Sequence, residues 1–317
     1  MRVSTRFTLL AAAAALAVTS AAHAAPVFIN ILTGGTSGVY YPIGVGLSQI
    51  YSDGIPGSKT SVQATKASVE NLNLLQAGRG ELALALGDSV ADAKNGVEDA
   101  GFKAPLTKLR AIGGAYPNYI QIVASKESGI KTLADLKGKT ISVGAPKSGT
   151  ELNARAIFKA AGLTYEDMGK VQYLPFAESV ELIKNRQLDA TLQSSGLGMA
   201  AIRDLSSVMP LNYVSIPTDV VAKIGNPAYQ SAMIPANTYD GQPEAVPTVA
   251  ITNILVTRED VPEEVAYEMT KLMFDNLTRL GNSHSAAKDI KLETAAKNLP
   301  IPLHPGAERY YKEKGAL

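Results

Sequence analysis

Short apolar runs alternate with segments of helical periodicity in the first third of the chain. A strand with one buried face alternates polar and apolar residues, whereas a fully buried strand is a continuous apolar run. Both kinds of strand occur here, and the second helical pattern begins at Ser68, a residue type typical of an N-cap. The resulting β-α-β-α-β order predicts a mostly parallel sheet with helices on its faces. The strand patterns lie at residues 28–33, 59–65 and 82–86, and the helical patterns at residues 42–51 and 68–77.

The rest of the chain repeats this alternation, and residues 209–242 are interrupted by Pro and Gly. Two similar α/β lobes account for the pattern with the fewest assumptions. We expect one lobe to combine residues 25–115 with 237–317 and the other to hold residues 116–236, so that the chain crosses twice between them. Strand patterns lie at residues 120–125, 140–143, 171–174, 190–193 and 247–257, and helical patterns at 133–136, 151–161, 178–185 and 262–280.

The first residues have the pattern of a secretory signal. Arg2 and Arg6 precede a mainly apolar stretch at residues 7–18, and Ala22 and Ala24 satisfy the small-residue rule for cleavage. We expect residues 1–24 to be a signal peptide cleaved after Ala24, and the mature protein to be periplasmic. The alternative is a retained membrane anchor, but about a dozen apolar residues are too few to span a bilayer comfortably.

Composition excludes several classes of function. The 317 residues include 30 Lys and Arg against 29 Asp and Glu, and this balance gives no basic excess for nucleic acid. The chain contains no Cys, which excludes disulfides, thiolate zinc sites and cysteine nucleophiles. It contains 3 His, of which His23 lies in the predicted signal peptide, and neither His284 nor His304 has a partner at metal-ligand spacing. We therefore predict neither a metal site nor a cofactor.

Three polar loops of small residues lie between a strand and a helix. They occupy residues 33–42, 65–68 and 144–150. In α/β sheets, ligands bind beyond the carboxyl ends of the strands, where helix N-termini favour carboxylate or phosphate groups. Any one of these loops is equally well explained as a tight turn without a ligand. Three loops of the same kind favour an anion site, provided that they face one another.

Enzymatic motifs are weak or missing. The loop at 144–150 lacks the Gly-Lys-Ser/Thr ending of a phosphate-binding loop, residues 34–38 do not fit GxGxxG, and no GxSxG elbow occurs. Asp88 and Ser89 resemble an exposed-serine hydrolase motif, but no His is preceded three residues earlier by Asp. We expect these two residues to cap the following helix instead. The chain is therefore predicted not to be an enzyme.

Four segments of the chain resemble a known family of receptors. Residues 33–44 (TGGTSGVYYPIG) are similar to the N-terminal signature of the TRAP-associated extracytoplasmic immunogenic (TAXI) family. Residues 68–72 (SVENL) with 75–78 (LQAG) match its second motif, and residues 303–315 (LHPGAERYYKEKG) resemble its C-terminal segment. The weaker DLKGK at 135–139, followed by Ser142-Val-Gly and Ser148-Gly-Thr, is similar to its second-lobe entry. The resemblance covers essentially the whole mature chain.

The resemblance implies a type II periplasmic-binding-protein fold, with a ligand cleft between two α/β lobes. It implies a monomeric receptor that captures a small carboxylate and delivers it to a TRAP permease, often of the fused type. Suitable ligands would be a glutamate-like amino acid or a related 2-oxo or dicarboxylic acid. Ligand bridging both lobes would shift an open population toward a closed one. The site residues it implies are Gly34, Gly35, Thr36, Ser37, Gly38, Tyr40 or Tyr41, Ser68, Asn71, Ser148, Gly149 and Thr150, with Gln193 or Ser194 after a later strand.

Several alternatives stay open. Lys66 and Ala67 replace the Gly-Gly or Gly-Ser that commonly precedes the second motif, so Lys66 either pairs with a second carboxylate or faces solvent. Tyr40, Tyr41 and Tyr116 form an apolar wall or pack in the lobe core. The function classes left beside transport are a solute-sensing adaptor for a membrane sensor and, less favoured, an exported hydrolase of small esters. Single carboxylates such as Asp88 leave a cation site open.

Overall fold

The computed structural model describes residues 26–317, so the predicted signal peptide lies outside the described residues. Ten strands form one mixed sheet, and the helices cover its faces. The strands are β1 (Val27–Leu32), β2 (Ser58–Gln63), β3 (Leu82–Leu86), β4 (Leu109–Ser125), β5 (Thr140–Ser142), β6 (Lys170–Gln172), β7 (Ala190–Ser195), β8 (Leu211–Val214), β9 (Gln230–Ile234) and β10 (Val246–Arg258). The α-helices are α1 (Tyr40–Gly54), α2 (Ser68–Gln76), α3 (Gly87–Asn95), α4 (Gly149–Ala160), α5 (Phe176–Lys184), α6 (Ala200–Val208), α7 (Thr218–Ile224), α8 (Glu263–Asp275), α9 (Leu277–Ser283), α10 (Leu292–Ala295) and α11 (Pro305–Glu313).

The predicted mixed α/β class is confirmed, but the prediction of a mostly parallel sheet is wrong for its centre. The strand order is β2-β1-β3-β10-β4-β7-β5-β6, with β8 paired to β4 and β9 paired to β10. Strands β1, β2 and β3 pair in parallel, as do β5, β6 and β7. By contrast, β10 runs antiparallel to β3, β4 and β9, and β4 runs antiparallel to β7 and β8. The two central strands run against their neighbours because they carry the chain between the two groups of parallel strands.

The two longest strands are shared by both groups. Along one edge of β10, β3 pairs with residues 253–256 and β9 with residues 246–250. Strand β4 pairs with β10 along most of its first part and with β7 from Tyr119 onward. The register of the β4–β10 pair shifts between Thr252 and Ile254, and a second shift follows at Leu255. The lobe boundaries predicted from sequence, at residues 115/116 and 236/237, stay a prediction.

The core lies on both faces of the sheet. Every residue of β3 is buried, as expected for a strand covered by helices on both sides. One apolar cluster packs α2 and α3 against β3, β4 and β10, and another surrounds α4, β5 and β7. A third cluster joins α1, α8 and α11 to α5 and α6. Within residues 26–317, no helix is long and apolar enough to cross a membrane.

Three local predictions were wrong. Ser68 is the first residue of α2 rather than its N-cap, which is Ala67, and the Ser68 hydroxyl accepts a hydrogen bond from the Leu86 N–H. Asp88 and Ser89 do not cap α3, because the helix already begins at Gly87. The helical pattern at residues 262–280 forms two helices, α8 and α9, which are separated at Asn276.

Candidate functional site

A cavity of about 160 Å³ lies where the predicted polar loops meet. Its wall comes from both groups of strands, because residues that follow β1 and β2 or end β3 face residues that follow β5 and β6 or end β7. The lining residues are Gly34, Gly35, Gly38, Val39, Tyr40, Thr65, Lys66, Ala67, Ser68, Leu86, Ala145, Ser148, Thr150, Pro175, Phe176, Ser194 and Ser195.

Four helices point their N-termini at this cavity. The lining includes the first residues of α1, α2 and α5, and the N-cap of α4, Ser148. Helix α1 has 15 residues, α2 and α5 have 9 each, and α4 has 12. The first turn of each helix has N–H groups without partners inside the helix, and the helix dipole is positive at that end. Within residues 26–317, the amide groups of Gly149 and Thr150 donate no hydrogen bond. The arrangement favours an anionic ligand.

The two sides of the cavity touch each other directly. The Val39 N–H donates to the Ser195 hydroxyl at 3.2 Å, and the Ala201 N–H donates to the Ser37 carbonyl at 3.2 Å. Phe176 also packs on the first loop, since a Cβ at Gly38 would be in ordinary van der Waals contact with its ring, at 3.5 Å. These contacts join residues far apart in sequence, so the two sides of the cavity are held against each other.

Two hydroxyl groups are set up as hydrogen-bond donors to the cavity. Ser148 caps α4 by accepting the Glu151 N–H at 3.2 Å, and Ser195 accepts the Val39 N–H. A hydroxyl that accepts a backbone N–H keeps its own proton. Among the described residues, neither hydroxyl donates a hydrogen bond. Both protons are therefore available to an anionic group in the cavity.

Lys66 is the one charged residue among those that line the cavity, and no Asp or Glu lines it. Its side chain is exposed, and none of the ion pairs found among residues 26–317 involves it. The Glu70 carboxylate instead accepts the Lys66 backbone N–H at 2.6 Å, which fixes the start of α2. The cavity thus carries a net positive field from the helix ends and one ammonium group.

Ala67 adopts a backbone conformation that favours glycine. Its φ is 68° and its ψ is −144°, a region in which a Cβ is strained. The Ala67 Cβ lines the cavity and lies 3.3 Å from where a Cβ of Gly34 would stand. Alanine at this position, where the family commonly has Gly or Ser, is therefore accommodated at a cost in backbone strain, and its methyl group narrows the cavity relative to glycine.

A buried network of polar side chains continues outward from the cavity wall. Ser194 donates to the Asn153 Oδ1 at 2.8 Å, and Asn118 donates to the Ser194 hydroxyl. The Asn153 Nδ2 donates to Asp88 at 2.8 Å, and the Tyr229 hydroxyl donates to the same carboxylate at 2.7 Å. Burial raises the pKa of Asp88 from 3.8 to about 6, although hydrogen bonds from Tyr229, Ser89 and Asn153 oppose the shift. Asp88 lies in α3 and Asn153 lies in α4, so the hydrogen bond between them joins the two sides of the cavity.

The structure brings seven of the thirteen predicted site residues to this cavity, and Ser194, which the sequence offered as the alternative to Gln193, also lines it. Thr36 and Tyr41 line a separate, more open depression with Arg203 and His284. Ser37, Asn71, Gly149 and Gln193 lie near the cavity without lining it, and the Asn71 amide donates to the Thr33 and Leu84 carbonyls. The seven are Gly34, Gly35, Gly38, Tyr40, Ser68, Ser148 and Thr150.

The aromatic wall is formed mainly by a residue that the sequence analysis did not single out. Phe176 begins α5, after a strand whose loop has no Gly-rich signature. Tyr40 lines the cavity, and its hydroxyl donates to Asn253 at 2.6 Å, whereas Tyr116 is fully buried in the core. Phe176 could have been found by asking which residues follow every strand of the second lobe, rather than which loops are polar.

The geometry does not support the hydrolase alternative. Ser89 is fully buried, and neither histidine is hydrogen-bonded to it. His304 caps α11 through Nδ1 and bonds the Val261 carbonyl through Nε2, and His284 accepts the Ala286 N–H. Among residues 26–317, no group of three or more His, Asp or Glu is arranged to hold a metal ion.

Comparison with known proteins identifies the family. Residues 31–315 match the model of the NMT1-like family, and the chain belongs to that family. A solved structure described as a periplasmic transporter is 14% identical, with 91% of this chain and 93% of that chain covered and a TM-score of 0.58. A binding protein component of an ABC phosphonate transporter from Pseudomonas aeruginosa is 11% identical, with 84% and 81% covered and a TM-score of 0.52. At these identities the similarity concerns the fold, which is that of periplasmic binding proteins.

Proposed function

We propose that this member of the NMT1-like family is a periplasmic receptor that binds a small carboxylate between two closing lobes. The observation that carries the proposal is the convergence of four helix N-termini on one cavity that contains a lysine and no acidic residue. A carboxylate would accept hydrogen bonds from the N–H groups of α4 and from the hydroxyls of Ser148 and Ser195. Phe176 would cover its apolar portion.

Closure is the mechanism that the contacts support. A ligand that touches both sides supplies the differential affinity that favours the closed form, because the same ligand reaches fewer groups when the lobes are apart. The direct bonds from Val39 to Ser195 and from Ala201 to Ser37 join the two sides of the cavity, and they would break if those sides moved apart. The seven predicted residues in the wall, with Lys66, Phe176, Ser194 and Ser195, are the proposed ligand contacts.

The partner we propose is a TRAP permease of the fused type, as the resemblance to the TAXI family implies, with the receptor acting as a monomer. The ligands we expect are a glutamate-like amino acid or a related 2-oxo or dicarboxylic acid. A solute-sensing adaptor would use the same closure to signal to a membrane sensor. Deletion of the candidate permease distinguishes the two roles, because it abolishes uptake by a transporter but leaves an adaptor's response intact.

A binding screen tests the central proposal. The exported protein is unfolded and refolded to remove any bound solute, and its melting temperature is then measured with carboxylates, sulfonates, phosphonates, sugars and nucleotides. A ligand that binds the folded state raises the melting temperature by mass action. We expect saturable stabilisation by one small carboxylate, confirmed by calorimetry. Stabilisation by sugars alone would contradict the carboxylate proposal. The mass of the exported protein tests cleavage after Ala24.

A further inference from the structure

We propose that Ser194 acts as a hydrogen-bond acceptor in the cavity and selects a ligand that carries a hydrogen-bond donor, a hydroxyl or amino group, beside its carboxylate. The inference rests on the carboxylate-binding function proposed above and adds a second requirement to it. It concerns which of several similar acids the cavity prefers, and it follows from the direction of the hydrogen bonds around one hydroxyl group.

The only proton of the Ser194 hydroxyl is already used. A serine hydroxyl has one proton and two lone pairs. Ser194 donates its proton to the Asn153 Oδ1 at 2.8 Å, and one lone pair accepts the side-chain N–H of Asn118. Ser194 also lines the cavity. What remains for a ligand is the second lone pair, so this hydroxyl can accept a hydrogen bond and has none to give.

A buried carboxylate holds the network in this direction. An ionised carboxylate accepts hydrogen bonds and donates none, so the Asn153 amide must present its Nδ2 to Asp88 and its Oδ1 to Ser194. Tyr229 donates to the same Asp88 oxygen at 2.7 Å. Asp88 is 3% exposed and Asn153 is 0% exposed, so water does not offer substitute partners. Asp88 is thus a positioning residue that acts on the cavity through Asn153.

The neighbouring hydroxyls have the opposite polarity. Ser148 and Ser195 each accept a backbone N–H and keep a proton for the ligand. A carboxylate or keto oxygen is therefore stabilised next to these two, but it would meet a lone pair at Ser194. A hydroxyl or amino group of the ligand would instead donate a hydrogen bond to this lone pair of Ser194. The Ser194 hydroxyl already accepts the Asn118 N–H, so the contact is selective because its free lone pair repels a ligand oxygen that carries no proton.

Matched pairs of acids test the selection. Calorimetry at pH 7.5 compares 2-hydroxyglutarate with 2-oxoglutarate, and lactate with pyruvate, on the exported wild-type protein and two variants. We expect the hydroxy acid to bind about tenfold or more tightly than the oxo acid of the same skeleton. Ser194→Ala should bring this ratio close to one. Ser195→Ala is the matched control, and it should weaken both members of a pair while leaving their ratio unchanged. Equal or tighter binding of the oxo acid by the wild type overturns the inference and leaves the carboxylate function intact.

A measurement without ligand separates the two proposals. The side-chain amide protons of Asn153 are followed by NMR from pH 4.5 to pH 8, in the wild type and in Asp88→Asn. We expect their chemical shifts to titrate in the wild type and to lose that titration in the variant. A titrating signal supports the bond between Asp88 and Asn153 on which the inference depends, whereas failure of every acid in the panel to bind contradicts the carboxylate function. A signal that does not change with pH overturns the positioning role of Asp88.

Discussion

Gly149 lies so close to Ser68 that a Cβ on the glycine would stand 2.7 Å from the serine hydroxyl oxygen and 2.7 Å from the Leu86 Cδ1. Gly149 begins α4 and Ser68 begins α2, so the contact joins the two sides of the cavity. Atoms at that separation overlap, and the backbone of α4 therefore approaches α2 only because residue 149 has no side chain. This contact explains why residue 149, which lies beside the cavity without lining it, is a glycine.

Gly149→Ala should hold the lobes apart and weaken ligand binding about tenfold, equivalent to about 1.4 kcal/mol. Calorimetry with the ligand from the screen measures the affinity. Gly281→Ala is the control, because a Cβ there meets its nearest neighbour, Lys288, at an ordinary 3.4 Å. If Gly149→Ala binds like the wild type, closure does not depend on this contact.

Ala67→Gly should raise the free energy of unfolding by about 1 kcal/mol. Glycine adopts the φ of 68° at this position without strain, and this gain exceeds the entropy that a glycine adds to the unfolded chain. Chemical denaturation provides the measurement. Ala64→Gly is the comparison, since Ala64 is an exposed neighbour that is absent from the positive-φ positions, and it should be neutral or destabilising. Equal effects of the two changes on the free energy of unfolding would contradict backbone strain at Ala67.

Lys66→Met should weaken a carboxylate ligand by roughly fivefold to tenfold, or about 1 kcal/mol, because the side chain is exposed and its charge is screened by solvent. The loss should shrink as the salt concentration rises. Affinities measured at two ionic strengths test both statements, with Lys170→Met as the control at an exposed lysine away from the cavity. An unchanged affinity at low salt would mean that Lys66 faces solvent only.

Asp88 should make the folded protein more stable at mildly acidic pH. Its pKa is raised from 3.8 to about 6 by burial, with Asp92 adding to the shift and Tyr229 opposing it, while Tyr40 also lies within its field. The folded state then binds a proton more tightly than the unfolded chain, so this contribution is complete below pH 3.8 and is lost as the pH rises through 6. Relative to Asp88→Asn, the wild type should gain about 2 kcal/mol between pH 7.5 and pH 4.5. If the difference in the free energy of unfolding between the wild type and Asp88→Asn stayed constant across that range, it would contradict the raised pKa of Asp88.

Asn71→Ala should lower stability more than it changes ligand affinity. Asn71 is fully buried, its Nδ2 donates to the Thr33 and Leu84 carbonyls, and its Oδ1 accepts the Thr65 hydroxyl. Removing the side chain deletes these buried hydrogen bonds at a cost of about 2–3 kcal/mol, although the Thr65 hydroxyl and the Thr33 carbonyl keep the bond between them. Denaturation gives the stability, and calorimetry well below the melting temperature gives the affinity. A loss of binding without loss of stability would instead support the ligand contact predicted from sequence.

The sequence predicted the α/β class and the loops of the cavity because both depend on local patterns. Gly34 and Ser148 lie in loops that can be recognised in the sequence by their small polar residues and by their place between a strand and a helix. The antiparallel centre was missed because nothing local in residues 247–257 records which neighbours β10 meets. Phe176 and Asn153 were missed for the same reason, since each acts on residues more than forty positions away. Periodicity shows which face of an element is buried, but not what lies opposite it.

Sharing β4 and β10 between both groups of strands also affects how the protein unfolds. An excised fragment holding residues 116–236 alone would keep β9 but lose β10, its only partner strand within the described residues. The complementary fragment would lose most of β4, to which β10 is paired. Neither half retains a complete ladder of backbone hydrogen bonds, so we expect the two halves to unfold together in one cooperative transition even if they move relative to each other on ligand binding.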